Sequence, residues 1–257
     1  MANVRLMYKK GSQSCKSILE NTQIKRYAGP KIGADVLLNY GLAGSMKEAW
    51  LKAWPSGIKI PKINAKVGYS KLYVIQKMDK NGICVPESRL SLNKSFDLDE
   101  WIEKRVNSSG GKGICKARSY KEIPNKYYQK RILDREYELR VHAFAWMPIN
   151  TWIVIKRVGS EDEIAWNFSQ GGHFINVIDQ KHKYFNEARE ITKEVLRLLD
   201  MSFGAADFIM TKDRVLYFIE VNSQPGLSGL SNNTYYQAFN RLVEMDKKEV
   251  LKYANGT

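Results

Sequence analysis

Apolar and polar residues follow one another along the chain in an order that mixes strands with helices. Alternating or continuous apolar segments at residues 4–8, 34–40, 83–85, 101–106, 127–133, 139–146 and 152–158 predict strands. Helical spacing predicts helices at residues 14–20, 45–54, 71–80, 186–200 and 234–253, the last with a break near Asp246. Helices interleaved with antiparallel hairpins favour an α+β architecture of lobes over one doubly wound sheet.

Local signals refine the first half of this pattern. The first 65 residues predict a small βαβ-type lobe. Ser70 is the predicted N-cap of the next helix, which Asn81 and Gly82 end. The strand at 101–106 has an alternative, because the polar stretch 97–105 also allows a helix.

An acidic hairpin is the most informative segment. Apolar strands at 205–210 and 215–221 are joined by a polar turn at 211–214. Side chains alternate along a strand, so Glu220 and Asn222 project from one face, and folding the hairpin brings Asp207 beside them. Two carboxylates and one amide oxygen with open positions suit Mg²⁺, which keeps waters and shares phosphate oxygens. The structural alternatives are that Asp207 caps a turn and that Glu220 pairs with a surface lysine.

A glycine-rich loop offers a second candidate for phosphate binding. Its residues are Ser108, Ser109, Gly110, Gly111, Lys112 and Gly113. Unhindered backbone N–H groups and a lysine can wrap phosphates, although many such loops are only flexible. The spacing fits neither a P-loop nor a Rossmann fingerprint. Together with the acidic hairpin, the loop suggests a lid over a nucleotide.

Charge narrows the classes of partner. The 257 residues include 41 Lys and Arg against 27 Asp and Glu, a net charge of +14. This charge attracts nucleic acid, nucleotides, acidic peptides or anionic lipid, although solubility also accounts for excess lysine. Three scattered cysteines and three scattered histidines argue against a disulfide framework and a zinc site. No apolar run is long enough to span a membrane and the first residues do not resemble a signal peptide, so we expect a cytoplasmic protein.

The hairpin sequence resembles one known family. Ala206-Asp-Phe-Ile and Phe218-Ile-Glu-Val-Asn-Ser-Gln-Pro-Gly-Leu227 are similar to the ATP-grasp ligases, closest to the branch that adds glutamate to ribosomal proteins and its relatives in phages. The resemblance spans residues 60–245. It implies an α+β ATP-grasp fold with a short N-terminal lobe at 1–65, a central lobe carrying the glycine loop at 66–132 and a C-terminal lobe carrying the metal site at 133–257.

The resemblance also implies a set of binding residues. Asp207, Glu220 and Asn222 would hold two Mg²⁺ ions, or Mn²⁺, that bridge the phosphates of ATP. Lys71 and Lys104 would reach phosphates and adenine, with Arg105 as an alternative to Lys104. The other implied residues are Gln129, Lys130, Arg131 and Ile132 at a hinge strand against adenine, Glu138 at the ribose, and Arg140, Arg157 and Asn167 at the phosphates and the acyl group.

The implied activity is ATP-dependent ligation. A carboxylate would take the terminal phosphoryl group of ATP, forming an acyl-phosphate and ADP, and an amine or thiol would then displace phosphate. The chain departs from the family near Asn167, where Ala165 replaces an arginine and Ser169 with Gln170 replaces a basic pair. The acyl donor and the amine acceptor therefore stay open, including a polyanion such as an acidic peptide or nucleic acid.

Two other functions stay open from sequence. A nucleic-acid-binding or nucleic-acid-modifying protein would use the positive charge as its main feature, with the glycine loop against backbone phosphates. A catalytically silent scaffold would bind ATP without forming ADP.

Overall fold

The computed structural model describes residues 1–29, 33–43, 60–107, 113–160, 166, 173–175, 180 and 182–254. The predicted helix at 45–54 and residues 108–112 of the glycine loop lie outside these ranges. The described chain forms three sheets, each from a different stretch of sequence and each packed with helices or loops. The predicted α+β architecture is therefore confirmed.

The first sheet is parallel, with strand order β2-β1-β3-β4. Its elements are β1 (Val4–Tyr8), α1 (Gln13–Asn21), β2 (Lys25–Arg26), β3 (Val36–Tyr40) and β4 (Lys62–Ile63). Every residue of β3 is buried, as expected for a central strand covered on both faces. Parallel strands end at one edge of the sheet, so the residues after β1, β2 and β3 lie on a common edge.

The second sheet is antiparallel, with order β5-β8-β6-β7. Its strands are β5 (Ser88–Arg89), β6 (Trp101–Arg105), β7 (Cys115–Lys116) and β8 (Lys126–Lys130). The helix α2 (Lys71–Lys80) precedes it. Ser70 caps α2 as predicted, because its hydroxyl accepts the Tyr73 amide at 3.2 Å.

The third sheet is antiparallel and has five strands in the order β11-β10-β9-β12-β13. They are β9 (Arg135–Phe144), β10 (Ile153–Val158), β11 (His173–Ile175), β12 (Phe203–Thr211) and β13 (Leu216–Asn222). The helix α3 (Lys183–Leu198) packs on one face, and α2 packs on the same core beside β13. The opposite face of the third sheet carries polar side chains and packs, in part, against the first sheet.

Two C-terminal helices join the third sheet to the first. They are α4 (Leu230–Glu244) and α5 (Lys247–Ala254). The predicted break is confirmed at Asp246, whose carboxylate accepts the Glu249 amide at 2.9 Å. Tyr235 and Phe239 of α4 are buried in one core with residues of both sheets, including Phe144. No described helix has the length and apolar character needed to cross a membrane.

Two predicted elements differ from the structure, and at 101–106 the structure confirms the predicted strand over its helical alternative. Residues 83–85 form no strand, although Ile83 is buried and its amide caps the end of α2 by donating to the Met78 carbonyl at 3.1 Å. The segment before Arg105 is a strand from Trp101 and not a helix, with one 3₁₀ turn, Leu98–Glu100, before it. The predicted strand at 127–133 ends at Lys130, so Arg131 and Ile132 lie in the link to β9.

Candidate active site

The acidic hairpin brings its three predicted side chains together. Asp207 of β12 pairs directly with Glu220 of β13, and the register shifts after this pair. The amide nitrogen of Asn222 donates to Asp207 Oδ2 at 3.3 Å and to Glu220 Oε1 at 3.2 Å. The two carboxylates and the amide therefore share one face of the sheet, as side-chain alternation predicts.

Each carboxylate of the hairpin has a cationic partner. Arg140 of β9 donates two hydrogen bonds of 2.6 Å to Asp207, and Lys71 Nζ lies 2.5 Å from Glu220 Oε2. Although burial opposes the charged forms, the ion pairs prevail: Asp207 raises the pKa of Arg140, and Lys71 lowers the pKa of Glu220 to about 2. Glu220 therefore pairs with a lysine at the head of a helix and not with a surface lysine.

A second set of charges lies one strand further along the same face. Arg157 of β10 lies 3.1 Å from Glu138 Oε2 and 3.7 Å from Asp207 Oδ1. Arg135 contacts the other oxygen of Glu138 at 3.1 Å. Burial raises the pKa of Glu138, against the opposing effect of its two arginines. The backbone carbonyl of Trp166 accepts a hydrogen bond from Arg157 at 2.9 Å.

The second sheet faces this charged surface with a buried lysine. Lys104 of β6 donates to the side-chain oxygen of Gln129 on β8 at 2.7 Å. Burial lowers the pKa of Lys104 to about 8, while Glu220 favours its charged form. Arg105 is exposed, so Lys104 and not Arg105 faces the site. The Lys71 amide donates to the Val106 carbonyl at 3.1 Å, which ties the start of α2 to the end of β6.

The three remaining hinge residues, Lys130, Arg131 and Ile132, lie at the end of β8 and directly after it. The Lys130 amide donates to the Glu87 carbonyl and the Arg131 amide to the Glu100 carbonyl, both at 2.8 Å. Arg131 also reaches the Asp99 carbonyl with its guanidinium at 3.1 Å. Ile132 follows in the link between β8 and β9.

A cavity of about 830 Å³ opens beside the hairpin. Its walls include Lys71, Glu220 and Asn222. Asn107, which follows β6, and Lys9, which follows β1, also line it. A volume of several hundred Å³ is the usual size of a small-molecule site. The charged hairpin therefore faces a cleft and not a packed interior.

The carboxyl edge of the first sheet closes on the segment that follows the hairpin. Gly41, directly after β3, has a φ of +77°, and a Cβ atom there would lie 2.4 Å from Gln224 Cβ. The hydroxyl of Tyr40 donates to the Pro225 carbonyl at 2.9 Å. The Leu227 amide donates to the Ser14 hydroxyl at 3.2 Å. These contacts place the first sheet over the residues after Asn222.

Not every predicted residue can be located in this arrangement. Asn167, Ser109, Gly110, Gly111 and Lys112 lie outside the described residues. Gly113 is described, with a φ of +78° and the Arg105 side chain against it. Sequence analysis did not identify Lys9, Arg135 or Gln224 at the site. The only sequence signal for them was the turn glycine Gly41, which could have indicated that another segment packs closely against it. The sequence does not show that this segment contains Gln224, which lies far away along the chain.

The oxygen donors of Asp207, Glu220 and Asn222 are of the kind that a hard cation such as Mg²⁺ prefers, although they are few. Among the described residues, no three His, Cys, Asp or Glu side chains form a metal-binding group. The hairpin offers two carboxylates and the amide of Asn222, which is the oxygen-rich set that Mg²⁺ takes when phosphates and waters complete its shell. The same oxygens pair with Lys71 and Arg140. Binding a cation would therefore require these partners to move towards another anion.

Comparison with protein families matches residues 69–228 to the ATP-grasp domain. The comparison with curated proteins found no match. Among solved structures, the VanG D-Ala:D-Ser ligase from Enterococcus faecalis has a TM-score of 0.64 at 14% identity and covers 98% of each chain. The N5-carboxyaminoimidazole ribonucleotide synthetase from Thermotoga maritima has a TM-score of 0.63 at 17% identity, covering 96% of this chain and 77% of its own.

A third similar structure was solved with a peptide. The macrocyclase MdnC bound with precursor peptide MdnA, from Microcystis aeruginosa MRC, has a TM-score of 0.61 at 12% identity and covers 96% of this chain and 100% of its own. At these identities the structures establish a common fold, which is the fold that the hairpin sequence predicts.

Proposed function

The chain belongs to the ATP-grasp family, and from this premise we propose that it is a ligase that uses ATP to activate a carboxylate as an acyl-phosphate and joins it to an amine. The observation that carries the proposal is the set of two carboxylates and one amide, Asp207, Glu220 and Asn222, held together beside a cleft. We further propose a carbon–nitrogen bond as the product. Within the family, we propose that the chain is most similar to the branch that adds glutamate to ribosomal proteins and to the relatives of this branch in phages.

Phosphoryl transfer requires the protein mainly to position its substrates and neutralise charge. In the proposed site Lys71, Lys104 and Arg140 supply positive charge from three different elements. Lys71 and Arg140 are held by carboxylates in the described structure, so they are placed in advance at the hairpin. When nucleotide phosphates enter, we propose that these cations turn towards the phosphate oxygens and release the carboxylates.

Mg²⁺ would be held by Asp207, Glu220 and Asn222, where it would neutralise the charge of the phosphates; we propose two ions, with Mn²⁺ as a substitute. Gln129, Lys130, Arg131 and Ile132 would border adenine, and Glu138 would accept from the ribose. The glycine loop, with Ser109, Gly110, Gly111, Lys112 and Gly113, would cover the phosphates and exclude water. Without that exclusion an acyl-phosphate would hydrolyse.

Arg157 and Asn167 would act at the acyl group. The guanidinium of Arg157 lies 3.7 Å from Asp207 and is buried, which suits stabilisation of negative charge that develops on a transferred group. The proposed reaction forms a P–O bond to the carboxylate as the terminal P–O bond of ATP breaks. The amine then forms the C–N bond, phosphate leaves and the amine proton passes to solvent or substrate.

Several finer expectations belong to the same proposal. The lobes would be residues 1–65, 66–132 and 133–257, although α4 and α5 pack on the first sheet. A cytoplasmic location suits an enzyme that depends on ATP. The carboxylate and amine partners are small molecules or a polyanion, and the peptide bound to MdnC supports a peptide among them.

The decisive experiment measures ADP formation by purified protein with Mg-ATP, a pool of carboxylates and a pool of amines. Glu220→Ala should abolish ADP formation that depends on the acceptor and keep the fold, as judged by circular dichroism. The matched control is Glu190→Ala, since Glu190 is an exposed acid on α3. Wild-type turnover by Glu220→Ala would contradict the metal assignment, and ATP binding without ADP formation would favour a silent scaffold.

A further inference from the structure

The carboxyl edge of the first sheet carries a cluster of basic side chains next to the proposed site. Lys9, directly after β1, lines the same cavity as Lys71, Glu220 and Asn222. Lys10 follows it, and Arg26 ends the neighbouring strand β2 with its guanidinium 5.5 Å from the centre of the Tyr8 ring. We call Lys9, Lys10 and Arg26 the basic edge. In open sheets with parallel strands this edge is the usual place for ligands.

The charge of the basic edge is not balanced locally. Residues 1–29 contain six basic residues and one acid, Glu20. Glu20 lies 3.9 Å from Lys16 on the same helix. Within the described residues, no ion pair engages any of the three side chains of the basic edge, and all three are exposed. Lys9 therefore offers its positive charge to a ligand in the cavity, and Lys10 and Arg26 offer theirs beside it on the same edge of the sheet.

We propose that the basic edge binds an acidic peptide, whose reacting carboxylate enters the cavity while neighbouring carboxylates contact Lys9, Lys10 and Arg26. This inference rests on the proposed function, since one carboxylate must reach the hairpin. Alternate side chains of an extended peptide are about 7 Å apart on one side, so one carboxylate can sit in the cleft while the next lies at its mouth. A substrate with a single carboxylate would leave the basic edge unused.

An acidic peptide suits this surface better than a nucleic acid does. Proteins that bind single strands combine basic grooves with exposed aromatic rings on which bases stack. Among the described residues, the exposed large apolar side chains include one aromatic, Tyr73 of α2, and none on the basic edge. A nucleic acid also brings no carboxylate for the proposed reaction.

The test uses a fluorescent hexaglutamate peptide as the probe, with binding measured by anisotropy in the presence of Mg-ATP. Lys9→Gln should weaken binding about threefold to tenfold, and Lys9→Gln with Arg26→Gln should weaken it further. The control is Lys193→Gln, an exposed lysine on α3, which should bind as wild type does. A single-stranded hexanucleotide of similar charge should bind more weakly than the peptide.

Two results would overturn the inference: unchanged peptide binding in Lys9→Gln, or tighter binding of the hexanucleotide than of the peptide. The proposed function is tested separately by the rise in melting temperature of the wild-type protein with Mg-ATP. If that rise is present and the peptide result fails, only the acidic substrate is wrong. If the rise is absent, the proposed function itself is wrong.

A different observation carries a second inference, which concerns Tyr127 of β8. Its ring is fully buried, and its hydroxyl has no hydrogen-bond partner among the described residues. Tyr128, the next residue, points to the other face and donates its hydroxyl to the Lys121 carbonyl at 2.7 Å. A buried hydroxyl without a partner destabilises a fold, so it needs a reason.

The strand register places the Tyr127 side chain on the same face of the second sheet as two residues of the proposed site. Tyr127 pairs with Lys104 on β6, and Gln129, two residues along, holds the Lys104 ammonium group. All three side chains therefore lie on one face of the second sheet. Burial raises the pKa of Tyr127 and the nearby Glu220 carboxylate raises it further, so the hydroxyl stays protonated and is able to donate.

The geometry points to Tyr127 as a further nucleotide-binding residue, which donates its hydroxyl to bound ATP. This inference also rests on the proposed function. Tyr127→Phe removes only the hydroxyl, and Tyr128→Phe is the matched control on the same strand. Tyr127→Phe should melt at or above the wild-type temperature without nucleotide and bind Mg-ATP about threefold to tenfold more weakly. Tyr128→Phe should melt lower and bind Mg-ATP with the wild-type dissociation constant.

Melting curves and titrations with Mg-ATP give both quantities for each variant. An unchanged dissociation constant in Tyr127→Phe, or a lower melting temperature without nucleotide, would overturn this role. The wild-type protein again separates the two proposals, because a failure of wild type to bind Mg-ATP contradicts the nucleotide site as a whole.

Discussion

Arg140 on β9 and Asp207 on the neighbouring strand β12 face each other in register and share two hydrogen bonds of 2.6 Å. A planar guanidinium matches both oxygens of a carboxylate at once. Both side chains are largely buried, so neither charge could be left alone without a large desolvation cost. The pair therefore holds a proposed phosphate ligand and a proposed metal ligand in place before any substrate binds.

The double hydrogen bond predicts that lysine cannot replace Arg140. Arg140→Lys keeps the charge and loses one of the two directed contacts, which costs about 1.5–3 kcal/mol for hydrogen bonds to charged groups. We expect a lower melting temperature and ADP formation reduced about tenfold to a hundredfold. Unchanged rates with Mg-ATP would exclude a role for the guanidinium fork.

We expect the affinity for nucleotide to depend on the lysine at the start of α2 and not on the lysine at its end. Lys71→Met removes the cation next to Glu220 at the head of α2, so we expect Mg-ATP to bind at least about tenfold more weakly. Lys80→Met, at the other end of the same helix, removes an exposed lysine and should bind normally. Isothermal titration of both variants makes the comparison, and equal affinities would contradict the assignment.

A substitution at Gly41 tests how much the stability of the fold depends on the close approach of Gly41 to Gln224. Gly41→Ala places a Cβ 2.4 Å from Gln224 Cβ in a left-handed backbone with φ of +77°. Together these effects should destabilise the protein by about 2–5 kcal/mol. Gly226→Ala is the control, since nothing lies within 4 Å of an added Cβ there. Urea unfolding measures both, and equal stability of the two variants would refute the close approach.

Glu103 predicts a dependence of stability on pH in the second sheet. Burial opposes its charged form, but Lys126 at 2.7 Å and the Arg118 amide at 3.0 Å lower its pKa overall. A carboxyl with a lowered pKa in the folded state stabilises the protein above its unfolded value of about 4.3, and this stabilisation is lost as pH falls through the folded value.

Glu103→Gln should therefore cost about 1–3 kcal/mol at neutral pH, and the difference from wild type should shrink below about pH 4. The free energy of unfolding at a series of pH values measures this trend. Glu122→Gln serves as the control for an exposed glutamate. A constant difference for Glu103→Gln from pH 7 to pH 3 would show that its charge does not contribute.

Local pattern was enough to predict the elements that carry the site. Alternation placed Glu220 and Asn222 on one face, and the structure confirms this because the rule depends only on neighbouring residues. The Ser70 cap and the break at Asp246 are also confirmed, since capping is decided within one helical turn. The segment before Arg105 could not be assigned to helix or strand from its local pattern. It is a strand because it pairs with β7 and β8 in the folded sheet.

The sequence by itself determined the acidic hairpin, the α+β order of elements and the resemblance to the ATP-grasp family, because each depends on residues close together in the chain. Only the tertiary structure decided that Lys71 partners Glu220, that Arg140 holds Asp207 and that Gly41 receives Gln224. These contacts join residues far apart in sequence. Their formation depends on how the three sheets pack, and no local period records that packing.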